Sequence, residues 1–413
     1  VKLVAIADSD SYLKWAAAHA ESLSAEWERE LVLVRTPVTA STRQKRAALA
    51  GTRFDPDRAE VVDFGRIADR VAASDPDAVL LGARGELVRI LARELSARSN
   101  RPVLVSGVAG ISYPVSAKAL AWRRQVDLVV AHSRSELAGF RERALLTGRD
   151  VELGLASLPF LERGRGASGT DLVFATQAIV PLDRADRRRV ARLLVRAARA
   201  DPSRRVVVKV RAVAGEPQTH AERDGYPELL AELGDQPANL VISTGSMARA
   251  LDTAEGLVTV SSTAAIEALA RGIPVLLLDS FGVSRELVNL VFDESGLLAG
   301  EDDVVARRYR LPVAGWREQN YLHDPADDDW AERLGELARA RRRAPLPERA
   351  VPVRAGGRLR VAWERKVVLG AADRSLSGSL AWLIGVPSRA VVRTIRSVRR
   401  VVAPGSAAPS PTP

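Results

Sequence analysis

Three hydroxyl residues, Ser261, Ser262 and Thr263, stand where a short apolar strand gives way to a helix in the stretch 258-VTVSSTAAIEALARGIPVLLLDSFG-282. The first N–H groups of a helix lack partners within it, and the helix dipole adds partial positive charge, so the junction suits a phosphate. The same hydroxyls also suit plain helix capping, with Glu267 four residues past Thr263, and both readings stand. Other candidates gather at comparable places. In the second half of the chain these are Thr176 and Gln177, then Lys209 and Arg211, with His220 further along. Two cations and three hydroxyls beside a helix start make a phosphate-shaped site. In the first half, Asp8 and Asp10 follow the opening strand and are the best carboxylates to take a proton from an acceptor hydroxyl. The alternative is a loop turn with Asp10 capping the helix 11–23. Gly107 and Gly110 in 106-SGVAGISYP-114, and His132 with Ser133, complete the set expected to line a cleft.

The elements that must position these residues repeat. Apolar runs at 2–8, 31–36, 60–64, 78–82, 102–107 and 127–133 alternate with amphipathic stretches such as 83–99. After the Gly-rich, charged segment 162–170 the pattern restarts, with runs at 171–177, 205–211, 239–244, 257–262 and 274–279. Near-continuous apolar strands separated by helices predict parallel sheets covered on both faces. The fold class expected is α/β, with two doubly wound Rossmann-like domains, 1–161 and 171–344, joined by the linker 162–170. A basic helical extension, 345–402, and a disordered tail, 403–413, follow. Such sheets bind ligands at the carboxyl ends of their strands.

Composition narrows the chemistry. The 413 residues are 46% hydrophobic and 27% charged, which is enough for sizeable cores. Without cysteine the chain has no disulfide, thiol nucleophile or thiolate metal site. The four histidines, His19, His132, His220 and His323, are too scattered to read as a metal cluster. The acids 302–303 and 327–329 read as solvated loop and helix-start residues, so no metal and no cofactor is expected. The sequence opens in a strand without a signal-like stretch, and a cytoplasmic location is expected. Between Arg339 and Val402, sixteen basic residues face three acids, a net +13, whereas the whole chain carries +10. The rest is therefore near neutral, which argues against a nucleic-acid partner and assigns the charge to an appendage.

The hydroxyl cluster, the helix with Glu267, the turn Gly272-Ile273-Pro274 and the following strand together resemble the donor-binding segment of the two-domain glycosyltransferases called GT-B. The resemblance covers about residues 1–345 and extends to an actinobacterial group of glycosyltransferases of unknown chemistry. It implies a second domain that holds a nucleotide-activated sugar and a first domain that presents the acceptor. The pair Ser261-Ser262 is similar to a Ser-Ser pair that grips the donor phosphate in bacterial sialyltransferases and polysialyltransferases. Their accompanying His-Pro motif is replaced here by 208-VKVRAVAGEPQTH-220. Lys209, Arg211 or His220 would then hold the phosphate, and the long polar stretch 215–227 could cover it. The reading is a metal-independent glycosyltransferase that uses a CMP- or UDP-sugar, a sialic-acid-like sugar being one candidate. It would extend a cell-surface glycan or a lipid-linked precursor. The alternatives are a sugar-nucleotide epimerase, a polyol-phosphate transferase, and an inactive nucleotide-sugar-binding scaffold.

The appendage offers a membrane partner. The run 376–386 has eleven largely apolar residues, well short of the roughly 20 needed to span a bilayer. In 388–402 the apolar Val391, Val392, Ile395, Val398 and Val402 share a helical face, with arginines largely opposite. That pattern suits an anionic membrane surface, or a helix docked on the first domain.

Overall fold

The structure is a computed structural model that describes residues 1–98, 100–164, 166, 168–210, 224–347, 349 and 357–385. Its strands are β1 (Lys2–Ala7), β2 (Glu28–Val34), β3 (Glu60–Val62), β4 (Ala78–Gly82), β5 (Val103–Gly107), β6 (Leu128–Ala131) and β7 (Glu152–Leu155). There follow β8 (Asp171–Ala175), β9 (Val206–Lys209), β10 (Leu240–Ser243), β11 (Ala254–Thr259), β12 (Val275–Leu278) and β13 (Leu298–Ala299). They build a seven-stranded sheet in the order β3-β2-β1-β4-β5-β6-β7 and a six-stranded sheet in the order β10-β9-β8-β11-β12-β13. Neighbouring strands pair in parallel throughout. These are the two Rossmann-like halves that the repeated apolar runs predict. The edge strands β7 and β13 are additional; one is four residues with a glycine and the other only two, too short to show as apolar runs.

Strand periodicity explains how the second sheet is buried on both sides. Along β8, Val173 and Ala175 join one core cluster with Leu257 and Leu277. Leu172 and Phe174 join another with Val208, Val258 and Leu276. Successive side chains point to opposite faces, so a continuous apolar run is what a doubly covered strand requires. The first sheet builds its own core around Leu3, Ala5, Ala7, Trp15, Leu80 and Val105.

The helix Trp330–Arg343, late in the chain, belongs to that first core through Trp330, Leu334 and Ala338. A Cβ on Gly154 would lie 2.8 Å from Trp330, so the glycine admits the helix against β7. The basic segment is correspondingly less of an appendage than its charge suggests. Arg342 pairs with Asp77 and Arg349 with Asp127, both on the first sheet's side.

The described residues form two compact units, one within 1–34 and 38–349, the other 35–37 with 357–385. Both sheets lie in the first unit. In the second, the helix Gly357–Leu369 is followed by a turn and a helix over 376–385. The helix expected at 388–402 and the tail lie outside the described residues. Among the described residues no helix is long and apolar enough to cross a membrane.

Candidate functional site

In each sheet the strand order reverses once, between β1 and β4 and between β8 and β11. Ligand crevices of doubly wound sheets open at such points, beyond the carboxyl ends of the strands. Both candidate clusters sit there, Asp8 after β1 and Ser261 to Thr263 after β11.

The first crevice is closed by charge. Arg84, just past β4, donates from Nε to Asp8 Oδ2 at 2.9 Å, and the Ser9 N–H donates to Asp8 Oδ1 at 2.8 Å. Asp8 is wholly buried, and burial pushes its carboxyl above the usual range even though Arg84 pulls the other way. Its place is therefore beneath the cleft surface, where it orients Arg84 instead of meeting an acceptor. Asp10 opens the helix Asp10–Ser22 and keeps partial solvent access.

The second crevice is closed by a neutral amide. Gln177, after β8, donates from Nε2 to Ser261 Oγ at 3.0 Å and accepts the Ser261 N–H at 3.0 Å. Ser261 Oγ donates in turn to the Leu287 carbonyl at 2.5 Å. Ser261 is thus a buried clip that ties two strand ends to the loop after β12, and its hydroxyl is already committed. Ser262 Oγ accepts the Ala264 N–H at 3.2 Å and keeps its own proton for another partner. Thr263 precedes the helix Ala264–Ala270 and makes no side-chain capping bond. The hydroxyl cluster divides by residue: Ser261 fastens, the Ser262 oxygen accepts a helix N–H, and the Thr263 side chain makes no capping bond.

Charge from both lobes converges beside these hydroxyls. Glu267 is half-buried; burial raises its carboxyl, opposed first by the positive charge of Lys14 and then by that of Arg271, with a smaller contribution from Lys209. Lys14 belongs to the first lobe, with its Nζ 4.6 Å from the centroid of the Phe160 ring. Lys209 ends β9 as a buried residue whose ammonium donates to the Val210 carbonyl. Thr176 is buried too, and its hydroxyl donates to the Lys209 carbonyl at 3.1 Å. A Cβ on Gly110 would lie 3.4 Å from Thr263 Oγ1, so the glycine loop of one lobe faces the hydroxyl of the other. Arg211, His220 and most of the stretch 215–227 lie outside the described residues.

Three first-lobe candidates prove structural. His132 is buried in the core, where Nε2 accepts the Trp15 indole N–H at 2.7 Å and Nδ1 donates to the Ala156 carbonyl at 2.9 Å. Because indole only donates, that pair of bonds fixes a neutral ring protonated at Nδ1. Ser133 caps the helix Arg134–Leu146 by accepting the Glu136 N–H at 3.0 Å. A Cβ on Gly107 would lie 2.6 Å from the Trp15 ring, so this glycine serves packing rather than a ligand. The acids at 327–329 are fasteners: Asp328 accepts the Ser157 N–H and Asp329 the Leu155 N–H, which holds the end of β7.

Several cleft residues were not foreseen. Between the lobes lies a pocket of about 420 Å³, lined among others by Tyr12, Tyr113, Trp122 and Arg123 from the first lobe and Arg285 and Val288 from the second. Buried Glu136 holds one lining residue in place: Oε1 accepts the Ser112 N–H at 2.8 Å and the Tyr321 hydroxyl, and Oε2 accepts the His132 N–H at 2.9 Å. Only Lys14 carried a usable signal, as one of six lysines in an arginine-rich chain and four residues past Asp10. Among the described residues no group of three or more acids and histidines is arranged to hold a metal.

The architecture is similar to that of nucleotide-sugar enzymes. MnaA of S. aureus, solved with UDP, superposes with a TM-score of 0.53 at 12% identity, over 81% of this chain and 95% of its own. A putative UDP-N-acetylglucosamine 2-epimerase from Listeria monocytogenes gives 0.53 at 13% identity, over 85% and 99%. The UDP-GlcNAc 2-epimerase from Methanocaldococcus jannaschii gives 0.51 at 9% identity, over 82% and 100%. At such identities the likeness shows the fold, two facing Rossmann-like domains of GT-B type. No curated protein matches the sequence. The family model described as putative glycosyltransferase (DUF6716) matches residues 3–337, and the chain belongs to that family.

Proposed function

We propose that the protein transfers a sugar from a nucleotide-activated donor, held at the second crevice, to a hydroxyl acceptor presented by the first lobe. The observation that carries this reading is the uncommitted Thr263 hydroxyl, opposite Gly110 and beside the charges of Lys14, Lys209 and Glu267. Thr263 and Ser262 would donate to the donor phosphate. Fixed positive charge from both lobes would stabilise the departing nucleotide as its charge develops. UDP is the preferred nucleotide, because MnaA, of similar fold, was solved with it; a CMP-sugar with a sialic-acid-like group is the other candidate. Asp10, with more solvent access than Asp8, is the carboxylate proposed to receive the acceptor proton. Tyr12, Tyr113 and Trp122 give the pocket between the lobes faces on which a sugar ring can lie. A cell-surface glycan or its lipid-linked precursor at the inner face of the plasma membrane is the proposed acceptor.

The fold likeness to 2-epimerases supports a second reading, interconversion of the donor sugar itself. A panel of UDP-, CMP- and GDP-sugars, with and without glycan acceptors, separates the two. Transfer that needs an acceptor, with UDP-sugars preferred, is expected. Acceptor-independent interconversion would replace transfer with epimerisation, and tight binding without turnover would leave a scaffold.

A further inference from the structure

The helix over 376–385 is packed inside out. Its small residues face inward: Gly378 and Ala381 are buried, and a Cβ on Gly385 would lie 2.1 Å from the Trp363 ring of the helix Gly357–Leu369. Trp382 stacks on Trp363 with ring centroids 5.2 Å apart. Its large aliphatic residues face outward. Leu376, Leu380, Leu383 and Ile384 are 90%, 53%, 71% and 50% exposed. Positions i, i+4, i+7 and i+8 fall on one helical face, so these four side chains form a single stripe. A soluble surface helix places such residues against a core, and an exposed apolar stripe of this kind marks an interaction site.

Charge identifies what covers it. Residues 357–385 carry Arg358, Arg360, Arg365, Lys366 and Arg374 against Glu364 and Asp373. Both acids are already paired, Glu364 with Arg360 and Asp373 with Arg365. The sequence beyond, 386–413, adds five arginines and no acid. Apolar side chains projecting from a basic helical pair match an anionic lipid surface, with the stripe among the acyl chains and the cations at the headgroups. The helix is also firmly started, since Ser375 Oγ accepts the Gly378 N–H at 3.0 Å and Asp373 accepts the Ser375 N–H at 3.1 Å. The stripe is thus presented by a formed helix.

We infer that Leu376, Leu380, Leu383 and Ile384 insert into an anionic membrane and anchor the protein there. The anchor is apolar and distinct from the electrostatic attraction expected of 388–402. It rests on the proposed function only for its purpose, bringing the enzyme to a membrane-borne acceptor, and its test uses neither donor nor acceptor. The full-length chain and its L380S/L383S variant, equal in charge, are floated with vesicles of mixed phosphatidylglycerol and phosphatidylcholine and of phosphatidylcholine alone. The native chain should bind the anionic vesicles and retain part of that binding at high salt. The variant should bind roughly a hundredfold more weakly, about tenfold for each leucine withdrawn from lipid, with unchanged melting temperature. Equal binding by both chains would overturn the inference. So would a native chain that ignores vesicles but sediments as a dimer that the variant dissolves, because the stripe would then belong to a second copy.

Discussion

The two crevices share a topology and differ in what closes them. Between β1 and β4 the closure is an ion pair, buried Asp8 with half-buried Arg84. Between β8 and β11 it is Gln177 on Ser261, neutral on both sides. A charged clasp takes up the space where a ligand's charge would go and makes the first lobe sensitive to pH. A neutral clasp leaves the local field to Lys14, Lys209 and Glu267, beside a Thr263 hydroxyl that caps nothing. The difference teaches that the same strand-end position can be closed by charge or by a neutral amide, and that only the second closure leaves a hydroxyl beside it without a capping bond, which is why the proposed donor site lies there.

Breaking the charged clasp should have the largest effect. Arg84→Ala strands Asp8 without its counterion, and denaturant unfolding at neutral pH should show a loss of about 3–5 kcal/mol. The sign with pH follows from the raised carboxyl. Between the ordinary value of 3.8 and its folded value, folded Asp8 keeps a proton that the unfolded chain has released. Stability from this group is therefore present below 3.8 and lost as pH rises through the folded value. Removing Arg84 extends that window upward, so acidification should recover part of the loss. The neutral clasp should behave otherwise. Ser261→Ala leaves the Leu287 carbonyl and the Gln177 amide short of a partner at a cost of about 2 kcal/mol, and the cost should be the same at pH 5 and pH 8.

A smaller effect separates the first core from the second sheet. His19 is buried with both ring nitrogens lacking a hydrogen-bond partner, stacked on His132 at 5.3 Å and edge-on to Trp15 and Trp330. Burial, and then the neighbouring His132, hold its pKa well below 6.5. The unfolded chain takes up a proton there that the folded chain refuses. Stability should fall as pH drops below 6.5, by about 1.4 kcal/mol per unit from this ring. Melting temperatures at pH 7.5 and 5 should show a smaller acid loss in His19→Leu than in the native chain. Identical acid losses would remove His19 from the account.

Much of this was legible in the sequence. Apolar runs such as 78-AVLLG-82 and 171-DLVFA-175 could hardly be anything but doubly covered strands, and their alternation with helices fixed the topology class. The polar residues at strand ends were also found by position. What position does not encode is commitment. Asp8, Thr176, His132 and Ser261 stand where doubly wound sheets bind ligands, yet each side chain is satisfied by partners far away in sequence, and Ser133 is spent on the cap of its own helix. Asp8 pairs with Arg84 and Ser261 with Gln177, across 76 and 84 residues. Lys14, Trp122 and Arg285 escaped notice because helix faces and loops after a strand have no period that points to the opposite lobe.

The central claim is that Thr263 holds the donor phosphate while Ser261 beside it serves the fold, and Thr263→Val tests it with the least disturbance. Valine keeps the shape and removes a hydroxyl that caps nothing. Isothermal titration with UDP and UDP-sugars, alongside thermal unfolding, should show affinity reduced about tenfold, the loss of a hydrogen bond to a charged group, and an unchanged melting temperature. Unchanged affinity, or a lowered melting temperature without an affinity loss, would contradict the account and return the hydroxyl cluster to helix capping alone.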